Sequence, residues 1–117
     1  MNTDLKERTK KFSIEIVALV ASLPKDDVAR TLGRQILRSG TSVGANYRAA
    51  CRSKSKADFV NKIAIVIEEA DETQFWLELM VEAKVIKRNA AAKLWKEANE
   101  LISIMIASSK TAKSNKN

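Results

Sequence analysis

The chain of 117 residues has no histidine, one cysteine, one proline and three glycines. Without histidine it has no Ser-His-Asp or Cys-His arrangement, no imidazole base and no imidazole metal ligand. Its lone Cys51 has no partner for an internal disulfide, which fits a reducing compartment. No apolar run reaches the ~18 residues of a membrane span, and residues 1–11 lack the apolar segment of a secretory signal. We therefore expect a cytoplasmic protein with no membrane contact, no metal, no cofactor and no catalytic residues.

The composition that remains is typical of a single helical domain. Apolar residues make up 45% of the chain, charged residues 30% and aromatic residues only 5%. The net charge of +7 is large for this size and favours a polyanionic partner. Residues 30–62 hold eight bases and one acid, whereas residues 63–83 hold six acids and no base. Ion pairs between these two segments would neutralise only part of the positive surplus.

Two helical patterns overlap in residues 30–52. At about 100° per residue, a set of apolar and small residues falls within an arc of roughly 80°. A set of arginines falls in a second arc of roughly 80° on the far side of the helix. Because neither pattern changes phase at the glycines, we expect one unbroken helix from about Asp27 to Arg52. The first set is Leu32, Ile36, Gly40, Val43, Tyr47 and Ala50, and the second is Arg30, Arg34, Arg38, Arg48 and Arg52.

Gly40 and Gly44 lie one helical turn apart on the small-residue face. We interpret them as sites of close helix packing, where a neighbouring backbone can approach. A phosphate-cradling loop is the weaker alternative, because the segment lacks a Gly-Lys-Ser/Thr ending and follows no strand. Replacing Gly40 with leucine is then expected to cost roughly 1–3 kcal/mol or more through overpacking.

The arginine face is the best candidate for a functional surface. Arg30, Arg34 and Arg38 advance about 6 Å per turn, close to the phosphate spacing along a nucleic-acid strand. No aromatic residue is interleaved on this face, so we expect binding through backbone charge and no base stacking. The alternative, that individual arginines pair with carboxylates of the third helix, stays open. Four further residues extend the predicted nucleic-acid-binding set toward the next helix: Arg48, Arg52, Lys54 and Lys56.

Apolar periodicity predicts three more helices and hence an all-α, antiparallel up-down four-helix bundle over residues 1–107. Residues 108–117 are polar, basic and without periodicity, so we expect a disordered tail. The predicted bounds are Thr3 or Asp4 to Ser22 for the first helix, Lys56 to about Lys84 for the third, with Ser55 as its start, and Asn89 to Ile106 for the fourth, with Asn89 as its cap.

The third helix carries apolar residues on two opposite faces, although one buried face suffices in a small bundle. We expect the second face to contact another subunit, and deep burial among neighbouring helices is the alternative. Carboxylates separate the two faces. A metal site built from Glu in a helix bundle also uses Glu-x-x-His pairs, which this chain lacks because it has no histidine. Pairing with arginines is therefore the simpler explanation for these carboxylates. The predicted oligomer interface is Ile65, Trp76, Leu79 and Met80.

Three segments carry a family resemblance: residues 38–47 (Arg-Ser-Gly-Thr-Ser-Val-Gly-Ala-Asn-Tyr), 55–59 (Ser-Lys-Ala-Asp-Phe) and 69–73 (Glu-Ala-Asp-Glu-Thr). In type and order they are similar to four-helix bundle proteins encoded within intervening sequences of bacterial large-subunit ribosomal RNA genes. The resemblance covers about residues 10–107 and implies a homo-oligomeric ring, usually a pentamer with a central channel. It also implies kinship, more in fold than in sequence, to the accessory protein of diversity-generating retroelements, a basic pentameric barrel that associates with reverse transcriptase and nucleic acid.

Two functional hypotheses follow. The first is a non-catalytic oligomeric protein that holds RNA or DNA through its arginine face. The alternative is a protein-interaction scaffold ring that docks a polymerase, such as a reverse transcriptase, or another nucleic-acid-processing partner. A third hypothesis, that the protein is an enzyme, has the least support, because the sequence contains no recognisable set of catalytic residues.

Overall fold

The computed structural model describes residues 5–115, and that range consists of four helices without strands. Each helix packs chiefly on its neighbours in sequence, and α1 and α4 make the smallest contact. The described chain is elongated, with principal extents of 51 × 20 × 20 Å. The predicted all-α four-helix bundle is confirmed. The helices are α1 (Leu5–Ala21), α2 (Asp27–Cys51), α3 (Lys56–Glu82) and α4 (Arg88–Ser114).

Side-chain caps fix the starts of α2 and α3. The Asp26 carboxylate accepts a hydrogen bond from the backbone N–H of Ala29 at 2.9 Å, and the Ser55 hydroxyl accepts one from that of Asp58 at 3.0 Å. Each bond satisfies one of the free N–H groups of a first helical turn. Both starts agree with the sequence, whereas the start predicted for α1 lies outside the described residues.

The start of α4 differs from the prediction that Asn89 caps it. The helix begins at Arg88, and the preceding Lys87 is extended and makes no side-chain cap. Lys84, two residues after the end of α3, has φ of 63°, in the left-handed region, and begins the short turn to α4. The Lys87 carbonyl already accepts from the backbone N–H of Ala90 at 3.0 Å, so Asn89 lies inside the first turn.

The end of α4 also differs from the prediction. The helix continues past Ile106 to Ser114, through most of the segment expected to be disordered. Ala112 is half-buried and, with Phe59, lines a shallow groove beside the start of α3. The Lys56 ammonium donates to the carbonyl of Asn115. The extension therefore has a packing partner that its polar composition does not reveal.

α2 runs unbroken through Gly40 and Gly44, as its two patterns predict. A Cβ added at Gly40 would lie 2.7 Å from Ile16 Cγ2, and one added at Gly44 would lie 2.8 Å from Ser13 Oγ and 3.2 Å from the Thr9 carbonyl. The Ser13 hydroxyl donates to the Gly40 carbonyl at 2.9 Å and accepts from the Gly44 N–H at 3.2 Å. The backbones of α1 and α2 are therefore in close contact at these glycines.

Met80 does not belong to an oligomer interface. Its side chain is 0% exposed within the single chain, so it is part of the bundle core and the prediction for this residue is wrong. The cause is the position of α3, which packs on both α2 and α4 and therefore buries a wider arc than one apolar stripe. Ser39 and Thr73, both buried, join α2 to α3 on this side through a hydroxyl–hydroxyl bond of 2.9 Å.

Candidate nucleic-acid interface

The seven basic side chains predicted for the interface are all exposed on the outside of the bundle. Four are arginines of α2, Arg52 caps the end of that helix, Lys54 lies in the connection to α3, and Lys56 is the first residue of α3. Ile36 and Val43, on the opposite side of α2, are 0% exposed. Because burial of that side fixes the rotation of α2, the arginines point outward. The seven are Arg30, Arg34, Arg38, Arg48, Arg52, Lys54 and Lys56.

Arg38 differs from the others because its guanidinium binds carboxylates of α3. It contacts Glu69 Oε1 at 3.4 Å and also Glu72 Oε2. The Trp76 indole N–H donates to the same Glu72 oxygen at 3.0 Å. Burial, followed by the nearby charge of Glu72, raises the pKa of Glu69, and Arg38 opposes that rise. We therefore exclude Arg38 from the candidate interface, because its guanidinium already pairs with two neighbouring carboxylates.

Arg30 and Arg34 make only local contacts at the start of α2. Arg30 contacts Asp27 at 3.4 Å and donates to the Lys25 carbonyl at 3.1 Å. Arg34 reaches the Thr31 hydroxyl at 3.5 Å. Exposed pairs of this kind contribute about 0–1 kcal/mol, so an incoming phosphate can replace them.

The remaining cations gather at the other end of α2. Arg48, Arg52 and Lys54 form no ion pair with any residue in the described range 5–115. Arg34 and Arg48 are separated by about 21 Å along the helix axis. The predicted arginine ladder therefore consists of two clusters, and the free charge is greatest in the one that ends α2.

Two lysines of α1 join this second cluster, although no sequence pattern singled them out. An open groove of about 450 Å³ between α1 and α2 is lined by Lys6 and Lys10 on one side and by Arg48 and Arg52 on the other. Glu7 is the one carboxylate in its lining. The bases of α1 are spread around that helix, so only the antiparallel packing of α1 on α2 brings these two to the arginines.

The outer face of α3 retains part of its predicted apolar character. Ile65 is 37% exposed, and Trp76 and Leu79 are half-buried. Phe75, which the two-stripe pattern did not include, is 53% exposed. Its ring meets that of Trp76 edge to face, with centroids 5.0 Å apart. Phe75, Trp76 and Leu79 form an apolar patch beside the carboxylates that Arg38 holds, and Ile65 lies about 15 Å before Phe75 along the same helix.

Within residues 5–115, no three His, Cys, Asp or Glu side chains converge on a position that could hold a metal ion. In the same range no helix combines the length and apolarity needed to cross a membrane. The candidate contact surfaces are the two basic clusters along α2 and the apolar patch of α3.

The fold and surface define a basic, all-helical four-helix bundle. The family model for the 23S rRNA-intervening sequence protein matches residues 1–107, and the chain belongs to that family, as the resemblance predicted. The chain is also similar to a protein of unknown function from the S23 ribosomal protein family of Bacteroides thetaiotaomicron. The two share 37% identity over 91% of this chain and 98% of the other, with a TM-score of 0.85 to its crystal structure. Comparison with curated proteins gave no match.

Proposed function

We propose that this protein is a non-catalytic, oligomeric nucleic-acid-binding protein that holds RNA or DNA by its phosphate backbone. The observation that carries the proposal is the exposure of Arg48, Arg52 and Lys54, which have no carboxylate partner among residues 5–115. Guanidinium groups make two-point contacts to phosphate. Binding of this kind is weakly selective for sequence and strongly dependent on salt.

Electrophoretic shifts with a structured RNA at about 50 and 200 mM salt test this proposal. We expect the affinity to fall steeply with salt, and Arg48→Gln/Arg52→Gln to weaken binding at the lower concentration. The matched control, Lys93→Gln/Lys96→Gln, removes the same charge from exposed positions on α4 and should bind nearly as the wild type does. An affinity that salt does not change would refute the proposal.

We also infer that the apolar patch of α3 is covered by a second copy of the chain in a ring. The side chains of Phe75 and Ile65 are exposed in the single chain and take no part in its core. Exposed apolar surface of this kind marks a contact with another protein chain. Assembly would repeat the basic clusters around the ring, and repeated sites raise the avidity for a long polyanion. The solution mass measured by light scattering tests this point, and a monomer would contradict it.

The scaffold hypothesis is favoured by the same exposed apolar side chains, because such patches also bind other proteins. Pull-down after nuclease treatment separates the two functions. Loss of all partners on nuclease treatment supports nucleic-acid binding, whereas retention of a defined protein supports a docking role.

A further inference from the structure

The groove between α1 and α2 has basic walls on both sides. Lys6 and Lys10 lie one turn apart on α1, and Arg48, in the last turn of α2, lies one turn before Arg52, which caps that helix. Within residues 5–115 none of the four forms an ion pair, and neither does Glu7. The lining between them consists of small residues: Ser13, Thr41, Gly44 and Ala45.

Close packing of the two helices makes this groove narrow. The position that a Cβ of Gly44 would take lies only 3.4 Å from the Cα of Lys10. Helices in contact have axes about 8–10 Å apart, so the long basic side chains rise on either side of a shallow floor. A larger residue than Gly44 would both fill the floor and push α1 away.

Because α1 and α2 are antiparallel, the four basic side chains lean toward one another. Side chains on an α-helix lean toward its N-terminus. In an antiparallel pair the lysines of α1 therefore lean toward the end of α2, and Arg48 and Arg52 lean back toward them. Each pair spans about 6 Å along its helix, comparable to the spacing of consecutive phosphates on one strand.

We propose that this groove is a binding site for two consecutive phosphates of a single nucleic-acid strand. One phosphate lies between Lys10 and Arg48, and the next lies between Lys6 and Arg52. The inference rests on the proposed function but extends the binding surface to α1. It also assigns the small-residue floor a role in binding as well as in packing.

The test is the binding of a labelled uridine oligonucleotide of about 12 nucleotides, followed by fluorescence anisotropy over a series of salt concentrations. The first variant is Lys6→Gln/Lys10→Gln, which alters only α1, and the second is Arg48→Gln/Arg52→Gln. Because each phosphate lies between one lysine of α1 and one arginine, loss of either pair should release both phosphates, lower the slope of log affinity against log salt by about 1.4, and weaken binding about 25-fold at 0.1 M salt. Circular dichroism establishes that each variant is folded.

The control Lys93→Gln/Lys96→Gln carries the same loss of charge on α4 and should keep the wild-type slope. If the α1 variant keeps the wild-type slope while the arginine variant has a shallower one, the proposed groove site is refuted and binding by the arginines alone is supported. If the slope falls by the same amount in all three variants, binding depends only on total charge and the proposed groove site is refuted. If wild-type binding itself does not depend on salt, the proposed function fails together with the groove.

Discussion

Replacing Gly40 with alanine should destabilise the bundle, although alanine is the better helix former. The added Cβ would lie 2.7, 2.8 and 3.0 Å from Cγ2, Cγ1 and Cβ of Ile16. Ile16 is 0% exposed, so its side chain cannot rotate out into solvent. Overpacking of this kind costs about 1–3 kcal/mol, and the gain in helix propensity returns about 1 kcal/mol. These two terms leave a net loss of up to about 2 kcal/mol in the free energy of unfolding.

Gly33→Ala is the matched control in the same helix. A Cβ at Gly33 would meet the terminal Cδ1 of Leu23 at 3.0 Å and Cγ1 of Val20 at 3.5 Å. Both side chains are only half-buried, so they can shift. No glycine in the described range has a positive φ, and alanine therefore introduces no backbone strain. This variant should equal the wild type or exceed it by about 0.5–1 kcal/mol.

Urea unfolding followed by circular dichroism, at one protein concentration for all variants, measures both changes. A second variant isolates the contact itself. Ile16→Ala removes Cγ1 and Cγ2, and by itself should cost about 2–5 kcal/mol. Combined with Gly40→Ala, the total loss should be smaller than the sum of the single losses. Equal stability of Gly40→Ala and Gly33→Ala would refute the close-packing account.

Three further predictions concern the surface. The Arg8 guanidinium donates two hydrogen bonds, of 2.6 and 2.8 Å, to the Glu97 carboxylate where α1 meets α4. Arg8→Ala should therefore lower the free energy of unfolding by about 1 kcal/mol. An unchanged urea midpoint would contradict this role. The pKa of Glu69 is raised by folding, so stability is lost as pH rises through that pKa. Glu69→Gln should therefore raise the thermal midpoint at neutral pH, and this advantage should shrink toward acidic pH; a constant difference would be contrary evidence. Phe75→Glu should reduce the solution mass measured by light scattering, and an unchanged oligomer would exclude Phe75 from the interface.

The sequence was most informative where one helix satisfied two patterns at once. The phase of apolar and basic residues continued through Gly40 and Gly44, and α2 is correspondingly unbroken. Contacts between helices were harder to predict, because periodicity gives the rotation of a helix and says nothing of its register against a neighbour. For that reason the sequence alone does not predict the pairing of Arg38 with α3, or the position of Lys6 beside Arg48 and Arg52.

Periodicity also failed at the margins of the core. The apolar spacing of α3 places Met80 on an outer stripe, but a helix with neighbours on both sides buries the edge of that stripe as well. At the end of α4 the polar residues after Ile106 gave no clear period, although the helix continues along the start of α3. In both places the outcome depended on where a neighbouring helix lies.

The central claim is that free cations at the end of α2 hold phosphate. It is tested most directly by the salt dependence of affinity for a structured RNA, measured side by side for the wild type and Arg48→Gln/Arg52→Gln. The account predicts a steep wild-type slope of log affinity against log salt, and a variant slope that is shallower by about 1.4–1.8. Identical slopes for the two proteins, or a wild-type affinity independent of salt, would contradict it.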